Sequence, residues 1–331
     1  MSGGAQPQAN METILITEPE YRKAEEVFQT AGDFRCVVAP AKEQALAQNL
    51  ERASARAVIV GVAPYVGPLY EALGKQGGGL IARFGVGHDS IDKELARRHG
   101  IVVTNTPGAL DESVAEHTLW LMGCLARRIA ALDARLRDGA FSSQAGAELR
   151  GKTLGILGPG PIGRRVAAMA HFGFGMRVIA CGRRAAVAGL AECGISEYTT
   201  AAEPFFRQCD ILSVHLRSDL GTRHYLNAER LAWLKPEALL INTARGAVLD
   251  ESALYDALAH RRLAGAALDV FEQEPYQPAH PDKDLRRLEN TVLTPHIGSN
   301  TREANRRMAE AALQNVRNFL AGRMECLARV H

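Results

Sequence analysis

The sequence predicts an α/β protein that contains two doubly wound parallel-sheet domains. Two series of short apolar runs, each run followed by an amphipathic stretch, occupy most of the 331 residues. This βα repetition is typical of parallel strands that are covered by helices. A third observation is a glycine-rich turn at residues 158–163, between an apolar run and a helical stretch. The length suits two domains, and 47% hydrophobic with 23% charged residues is an ordinary globular composition.

The two βα series are separated by a long helical stretch. The first series has predicted strands at Ile14–Ile16, Phe34–Val38, Ala57–Val60, Leu80–Phe84 and Ile101–Thr104. The helical stretch runs from Asp111, an expected N-cap, to about Arg137. The second series has predicted strands at Thr153–Leu157, Met176–Cys181, Ile211–Leu216, Ala238–Thr243, Ala266–Phe271 and Thr291–Thr294. We expect the last helix, Thr301–Leu320, to return to the first series, which lacks a covering helix at its end.

The glycine turn predicts a dinucleotide site. Gly158, Gly160 and Gly163 have G-x-G-x-x-G spacing after the strand Thr153–Leu157, and a helix is predicted over Arg164–His171. Gly158 permits the tight turn, Gly160 lets a pyrophosphate approach the backbone, and Gly163 lets the helix pack closely on its strand. The phosphates would bind the free N–H groups at the start of that helix. The alternative is a plain glycine-rich turn.

The end of the next strand indicates which dinucleotide binds. An acidic residue at this position normally accepts a hydrogen bond from the ribose 2′-hydroxyl of NAD. This chain has Arg183 and Arg184 there, and its next carboxylate is Glu192. Two guanidinium groups can bind a 2′-phosphate with charge-assisted hydrogen bonds, so we predict NADP(H). The alternative is a solvated arginine pair in a protein that accepts NAD.

Composition and short patterns exclude several classes of function. The net charge is only +2, with no basic block that would favour nucleic acid. No apolar run is long enough for a membrane span, and Met1–Asn10 lacks the features of a signal peptide, with Met11 a candidate initiator. Six cysteines are scattered without C-x-x-C spacing, and no histidine pattern indicates a metal. We therefore predict a cytoplasmic protein with no metal, nucleic-acid or membrane partner.

Three polar residues follow consecutive predicted strands of the second series: Arg245, Glu274 and His296. In a doubly wound sheet the carboxyl ends of the strands face the ligand crevice, so these side chains can converge. Hydride transfer to a carbonyl needs a proton donor, which is the predicted role of His296. Glu274 would orient the imidazole and stabilise its protonated form, and Arg245 would bind a substrate carboxylate. Taken singly, each residue could equally be a capping, loop or surface residue.

The chain resembles the D-isomer-specific 2-hydroxyacid dehydrogenases. The motifs that carry the resemblance are Leu157–Gly163, Phe84–Asp89, Asn105–Gly108, Val114–Thr118, Asn242–Gly246, Asp269–Pro275 and Thr294–Ser299. They span nearly the whole chain in the family's order. The resemblance implies a flavodoxin-like substrate-binding domain formed by residues 1–107 and 299–331. It also implies a Rossmann dinucleotide-binding domain at 108–298 and a homodimer formed largely through the cofactor domains.

The resemblance also assigns roles to individual residues. Asp269 would contact the nicotinamide carboxamide, and the backbone amides of Val86 and Gly87 would bind the substrate carboxylate together with Arg245 and His296. The cofactor-binding residues are expected to be Gly158, Gly160, Pro161, Ile162, Gly163, Arg183, Arg184, His215, Thr243, Ala244, Asp269, His296 and Gly298.

Two departures from the family's pattern bear on the substrate. Arg217 replaces an apolar residue directly after the predicted strand Ile211–Leu216, and its role stays open. The loop Gly61–Tyr65 has no Lys or Arg, which disfavours a phosphorylated substrate. We therefore expect an oxidoreductase of small non-phosphorylated 2-oxoacids and D-2-hydroxy acids. The alternatives are a dinucleotide-sensing corepressor-like protein, or a phosphoglycerate- or phosphite-type dehydrogenase of the same family.

Overall fold

The computed structural model describes residues 11–330, so the expectation about the first ten residues lies outside the described part. Two compact units make up this part: one is Asp111–Ser299, and the other consists of the described residues on either side of that range. Both are α/β units with a parallel sheet, which confirms the predicted fold class.

The elements alternate along the chain. Those before Asp111 are β1 (Thr13–Thr17), α1 (Glu18–Lys23), α2 (Glu25–Gln29), β2 (Arg35–Ala39), α3 (Glu43–Ala53), β3 (Ala57–Val60), α4 (Pro68–Lys75), β4 (Gly79–Arg83), α5 (Lys93–Arg98) and β5 (Ile101–Thr104). The next unit contains α6 (Asp111–Ala126), α7 (Ile129–Arg137), β6 (Thr153–Leu157), α8 (Pro161–Ala168), β7 (Arg177–Cys181), β8 (Ile195–Thr199), α9 (Ala202–Gln208), β9 (Ile211–Val214), α10 (Ala228–Leu231), β10 (Leu239–Asn242), α11 (Glu251–Ala259), β11 (Gly265–Leu268) and β12 (Thr291–Leu293). The last helix is α12 (Arg302–Leu320).

The first unit contains a five-stranded parallel sheet with the strand order β2-β1-β3-β4-β5. Its central strands β3 and β4 are buried along their whole length, as expected for a sheet covered on both faces. Helix α12 belongs to this unit and packs against β4 and α2. Thr301 caps α12 by accepting a hydrogen bond from the amide of Ala304 at 3.1 Å.

The second unit contains a seven-stranded parallel sheet with the order β12-β11-β10-β9-β6-β7-β8. From β6 the chain first builds outward through β7 to β8, and then it returns to β9 on the other side of β6. The carboxyl ends of β6, β7 and β9 therefore meet where the strand order reverses, which is where ligands bind in open α/β sheets. This arrangement positions the glycine turn at the centre of the sheet edge.

Four local features differ from the expectations. The long helical stretch is two helices, because Arg128 adopts a left-handed conformation (φ 55°) between α6 and α7. Asp111 is the first residue of α6 rather than its cap. Strand β8 was not predicted, because Ile195–Thr199 buries only Ile195 fully and lies at the edge of the sheet. The regular α-helical part of the helix after the glycine turn begins earlier than predicted, at Pro161, and ends at Ala168.

Among residues 11–330 no helix has both the length and the apolar character needed to span a bilayer. In the same range, no three His, Cys, Asp or Glu side chains converge in a way that could hold a metal ion.

Candidate active site

The geometry of the glycine turn fits a dinucleotide. Gly158 has a φ of +94°, and a Cβ atom there would lie 2.9 Å from the carbonyl oxygen of His215. A Cβ on Gly163 would lie 2.7 Å from the carbonyl oxygen of Gly158, so this glycine permits the close packing of helix and strand. A Cβ on Gly160 would meet no protein atom within 4 Å. The space above Gly160 is open on the side from which a phosphate would approach.

Helix α8 supplies the donors for such a phosphate. Pro161 occupies its first turn, where a missing N–H removes no helical hydrogen bond. The amides of Ile162 and Gly163 follow in that turn and have no acceptor within the helix by helix geometry. No acidic side chain lies in this turn, so nothing there opposes an anion.

Arg183 and Arg184 lie in the loop after β7, as the sequence indicated. Arg183 forms an ion pair with Asp219, with 3.3 Å between Nη2 and Oδ2. The hydroxyl of Tyr198 donates to the carbonyl oxygen of Arg184 at 2.6 Å and anchors the same loop. Sequence reasoning missed Asp219, because it follows a different strand and has no motif of its own.

His215 follows β9 and lies beneath the glycine turn. Its Nε2 is 2.8 Å from the hydroxyl of Ser213. Burial lowers the pKa of His215 to about 4, so the imidazole is neutral at physiological pH. It can therefore offer packing and hydrogen bonding near the turn, but no positive charge for a phosphate.

Thr243 and Ala244 lie after β10 and are already engaged within the unit. The hydroxyl of Thr243 is buried and lies 2.8 Å from that of Thr118. The amide of Ala244 donates to the side-chain oxygen of Asn242 at 3.0 Å. These contacts fix the backbone that leads to Arg245.

The structure brings Glu274 and His296 together. Nδ1 of His296 is 2.7 Å from Oε2 of Glu274, and Oε1 of the same carboxylate accepts from the amide of Phe271 at 3.1 Å. Burial alone would raise the pKa of Glu274, but the His296 hydrogen bond and the positive charges of His296 and Arg245 lower it overall. Glu274 is therefore an ionised carboxylate that fixes the orientation of the imidazole, with Nε2 left for a ligand.

Arg245 follows β10. The neighbour of β10 in the sheet is β11, which leads to Glu274. Its Nη1 donates to the carbonyl oxygen of Ala244 at 2.6 Å. The pairing of β10 with β11 and of β11 with β12 explains why the loops that carry Arg245, Glu274 and His296 adjoin at one edge of the sheet.

His296 has a backbone conformation that few side chains adopt. Its φ is +53°, in the left-handed region, and its amide donates to the backbone oxygen of Asp269 at 2.8 Å. A strained conformation of this kind persists only where the surroundings determine it. The loop after β12 therefore aims this histidine by its backbone as well as by Glu274.

Asp269 holds that loop in place. Asp269 is 1% exposed, and its carboxylate accepts hydrogen bonds from the Thr294 hydroxyl at 2.6 Å and from the amides of Ile297 and Gly298, both at 2.8 Å. Burial raises its pKa, but hydrogen bonds from His117, Thr294 and these amides lower it overall. Gly298 is required here, because a Cβ atom would lie 2.9 Å from Oδ2 of Asp269. The predicted nicotinamide contact of Asp269 stays a prediction.

Two acidic residues, the buried Glu251 and the half-buried Glu272, support the loop that carries Glu274, and sequence reasoning missed this pair. The amide of Glu272 donates to Oε1 of Glu251 at 2.6 Å, and Oε2 of Glu272 is 2.7 Å from Nε2 of His224. Burial, followed by the nearby charges of Glu272 and Glu274, raises the pKa of Glu251 to about 7. In the sequence Glu251 looked like an ordinary acidic residue in the first turn of a helix, so no signal marked it.

Val86 and Gly87 belong to the first unit and lie in the loop after β4. The side-chain amide of Asn105 donates to the carbonyl oxygen of Val86 at 2.9 Å, and the Thr106 hydroxyl accepts from the amide of Gly85 at 3.1 Å. These contacts hold the turn, while the substrate-binding role of Val86 and Gly87 stays a prediction. Tyr65 of the loop without basic residues is 1% exposed and is part of the core of this unit.

Comparisons with known proteins agree with these motifs. The NAD-binding domain model of the D-isomer specific 2-hydroxyacid dehydrogenases matches residues 119–298. A glyoxylate reductase of Aeropyrum pernix is 44% identical over 254 residues, which make up 74% of each chain. Among solved structures, an NADPH-dependent glyoxylate/hydroxypyruvate reductase from Sinorhizobium meliloti in complex with NADP and malonate has a TM-score of 0.80. It is 28% identical, with 94% of both chains covered.

A second solved structure is also similar. D-lactate dehydrogenase from Aquifex aeolicus, complexed with NAD and lactic acid, has a TM-score of 0.81 and 29% identity, with 94% of this chain and 96% of that chain covered. The resemblance recognised in the motifs is therefore confirmed. The chain belongs to the D-isomer-specific 2-hydroxyacid dehydrogenase family, and it is an oxidoreductase that uses a nicotinamide dinucleotide.

Proposed function

We propose that this chain reduces small non-phosphorylated 2-oxoacids to D-2-hydroxy acids with NADP(H). The observation that carries the proposal is the contact of 2.7 Å between Nδ1 of His296 and Oε2 of Glu274, beside the charge of Arg245. A carboxylate, an imidazole and a guanidinium in adjoining loops are the groups that reduction of a carbonyl next to a carboxylate requires.

Each of the three groups has a separate task. When bound, the reduced nicotinamide would supply a hydride for the C2 carbonyl carbon. His296 donates a proton from Nε2 to the carbonyl oxygen, where negative charge develops. Glu274 stabilises the protonated imidazole before this transfer. Arg245 binds the substrate carboxylate and polarises the carbonyl, and the amides of Val86 and Gly87 are proposed to bind the same carboxylate.

The cofactor is proposed to bind at the glycine turn of residues 108–298. Gly158, Gly160 and Gly163 permit the approach of the pyrophosphate, and the amides of Ile162 and Gly163 bind it. Arg183 and Arg184 support NADP over NAD, because a 2′-phosphate is the ligand that two adjacent guanidinium groups suit best. The similar structures include one complex with NADP and one with NAD, so the choice between the two cofactors remains a proposal.

The substrate is proposed from the first unit and from the relatives. The loop Gly61–Tyr65 contains no basic side chain that could bind a phosphorylated acid. The A. pernix relative is a glyoxylate reductase, and the S. meliloti relative is a glyoxylate/hydroxypyruvate reductase. A corepressor-like function is less favoured, because a sensor of the cofactor alone does not need an imidazole paired with a carboxylate at 2.7 Å.

The assembly and compartment are part of the same proposal. Residues 1–107 and 299–331 are proposed as the substrate-binding domain, and 108–298 as the cofactor domain of a cytoplasmic homodimer. Support for the dimer comes from large apolar side chains that are exposed between residues 120 and 141: Trp120, Ile129, Leu136 and Phe141.

The test is a substrate panel. The protein is mixed with NADPH or with NADH, and each mixture receives one oxoacid: glyoxylate, hydroxypyruvate, pyruvate, a branched oxoacid or 3-phosphohydroxypyruvate. The loss of reduced cofactor is followed by absorbance. We expect turnover of at least one small oxoacid, and a lower KM for NADPH than for NADH. Cofactor binding without turnover of any oxoacid would refute the enzyme function, and turnover of the phosphorylated acid alone would refute the substrate class. Changing Arg183 and Arg184 to Ala should abolish the preference for NADPH.

A further inference from the structure

Two loops flank the glycine turn. The strand order β9-β6-β7 places the loop after β7, which carries Arg183, on one side of the turn after β6. It places the loop after β9, which carries Asp219, on the other side. The two loops meet in the ion pair of 3.3 Å between Arg183 Nη2 and Asp219 Oδ2. The sequence separation of 36 residues conceals this contact from any local pattern.

The loop that carries Asp219 presents this carboxylate in a fixed position. Oδ1 of Asp219 accepts from the amide of Gly221 at 2.9 Å, and the amide of Asp219 donates to the Thr222 hydroxyl at 2.8 Å. The Thr222 hydroxyl in turn donates to the carbonyl oxygen of Arg217 at 2.7 Å. One carboxylate oxygen thus closes the turn, and the other faces Arg183. Burial raises the pKa of Asp219, but the Gly221 amide and Arg183 lower it overall, so the group is ionised at neutral pH.

The opposite loop is anchored as well. Tyr198 donates to the carbonyl oxygen of Arg184 at 2.6 Å, and a Cβ atom on Gly182 would lie 2.9 Å from the same hydroxyl. The backbone at Arg183 therefore has little freedom to withdraw from Asp219. The guanidinium itself stays accessible, because 68% of the side chain is exposed, against 40% for Asp219.

These contacts therefore place the carboxylate of Asp219 beside the basic residue that follows β7. At the end of the second strand of this fold, a carboxylate repels a 2′-phosphate and a guanidinium attracts it. Here the guanidinium comes from the expected position and the carboxylate reaches it from the loop after β9. A 2′-phosphate that binds Arg183 must replace Asp219 as its partner, and its own negative charge is repelled by that carboxylate.

We propose that Asp219 is a specificity-determining residue that competes with the 2′-phosphate of NADP(H) for Arg183 and so moderates the preference of this site for NADP(H) over NAD(H). The inference rests on the proposed function of Arg183 as a 2′-phosphate ligand. It adds that three side chains rather than two set the preference, and that the third, Asp219, opposes the binding of the 2′-phosphate.

The experiment measures binding without turnover. Calorimetry determines the affinity of the wild-type protein and of Asp219→Asn for 2′,5′-ADP, which carries the 2′-phosphate, and for 5′-AMP, which lacks it. Asn keeps the oxygen that accepts from Gly221, so the turn is preserved. We expect 2′,5′-ADP to bind about two- to fivefold more tightly to the variant, in the range of one exposed ionic interaction, with less change at high salt. The affinity for 5′-AMP should change less than about twofold.

Two control variants complete the design. Glu203→Gln removes a carboxylate that pairs with Arg207 at 2.7 Å and is 49% exposed, so it matches the change of net charge away from the turn. Arg183→Ala should weaken the binding of 2′,5′-ADP. Adding Asp219→Asn to this variant should increase the affinity less than it does in the wild type, and the difference measures the coupling between the two residues.

The outcomes separate the two proposals. Suppose that Arg183→Ala weakens the binding of 2′,5′-ADP, but that Asp219→Asn leaves this affinity unchanged or lowers it. The competition by Asp219 is then refuted, while the proposal of NADP as the cofactor stands. If Arg183→Ala leaves the discrimination between 2′,5′-ADP and 5′-AMP unchanged, both are refuted. Equal tightening by Glu203→Gln would also refute the competition, because it would show an effect of net charge alone.

Discussion

Single side chains at the carboxyl ends of β11 and β12 give this protein its chemistry. Glu274 is held by the amide of Phe271 at 3.1 Å and holds His296 at 2.7 Å. The left-handed backbone of His296 also fixes the direction of its side chain. Asp269 stabilises this backbone, because its carboxylate accepts hydrogen bonds from the amides of the same loop. The imidazole therefore has one orientation, and its reactive nitrogen is the one that Glu274 does not contact.

The Glu274→Gln variant tests the role of the carboxylate. Gln retains a hydrogen-bonding oxygen but not the charge that stabilises the protonated imidazole. We expect kcat/KM for oxoacid reduction to fall about 100-fold at neutral pH, with the upper pH limit of reduction moved to lower pH. The measurement is a pH profile of kcat/KM.

Glu289→Gln is the matched control for this change. The Glu289 side chain is 74% exposed and pairs with Arg135, away from the carboxyl ends of the strands. Its profile should coincide with that of the wild type. A Glu274→Gln profile with the wild-type shape and height would show that the carboxylate has no part in proton transfer.

The buried Glu251 makes the stability of the folded protein depend on pH. Its pKa is raised from an ordinary 4.5 to about 7 in the folded protein, chiefly by burial. Its contribution to stability is therefore present below pH 4.5 and is lost as pH rises through about 7. We expect Glu251→Gln to gain stability relative to wild type between pH 5 and pH 8, by up to about 3 kcal/mol. Denaturant unfolding at the two pH values measures this, and a pH-independent difference between the proteins would contradict it.

Helix α8 and the turn before it separate structural glycines from binding glycines. A Cβ on Gly163 would clash with the carbonyl oxygen of Gly158 at 2.7 Å, whereas a Cβ on Gly160 meets no protein atom within 4 Å. We expect Gly160→Ala to leave the melting temperature unchanged but to weaken NADPH binding at least tenfold, because the methyl group would occupy the approach of the phosphate. Gly163→Ala should lose both stability and binding.

Gly123→Ala in α6 controls for the substitution itself. A Cβ atom there also meets no protein atom within 4 Å, and the position lies inside a helix, where Ala is favoured. It should retain binding and gain slight stability. Unimpaired NADPH binding by Gly160→Ala would refute the placement of the pyrophosphate at this turn. Thermal unfolding and fluorescence titration provide both readouts.

The two sheets could be predicted from the sequence because their strands are short, apolar and buried on both faces. Strand β8 could not, because an edge strand such as Ile195–Thr199 needs little apolar character. The break at Arg128 was also hidden, since neither Gly nor Pro marks it. The positions of Arg245, Glu274 and His296 followed from their place after consecutive strands.

The parts of the site that could not be predicted depend on contacts between distant segments. Glu251 and Glu272 are separated by 21 residues, and Arg183 and Asp219 by 36. Glu251, Glu272 and Asp219 look like ordinary loop or helix residues until the sheet order brings their partners near. No periodicity or motif encodes such pairs.

Across the whole molecule, the exposed apolar side chains between residues 120 and 141 predict a dimer. Leu136 is 56% exposed and Phe141 is 95% exposed, as expected for side chains that a partner chain would cover. We expect light scattering with size-exclusion chromatography to give the mass of two chains. The double variant Leu136→Asp and Phe141→Asp should give the mass of one. Leu220→Asp, which alters a fully exposed leucine elsewhere, should remain a dimer. A monomeric wild-type protein would refute the proposed assembly.

The most direct test of this account is single-turnover oxidation of NADPH by glyoxylate in the wild type and in His296→Asn. Asn tolerates the left-handed backbone of this position, so the loop after β12 should be retained. We predict a rate at saturating NADPH that is on the order of 10³-fold lower in the variant, because the proton donor is lost. A variant rate within about tenfold of the wild type, below the usual contribution of a general acid, would contradict it.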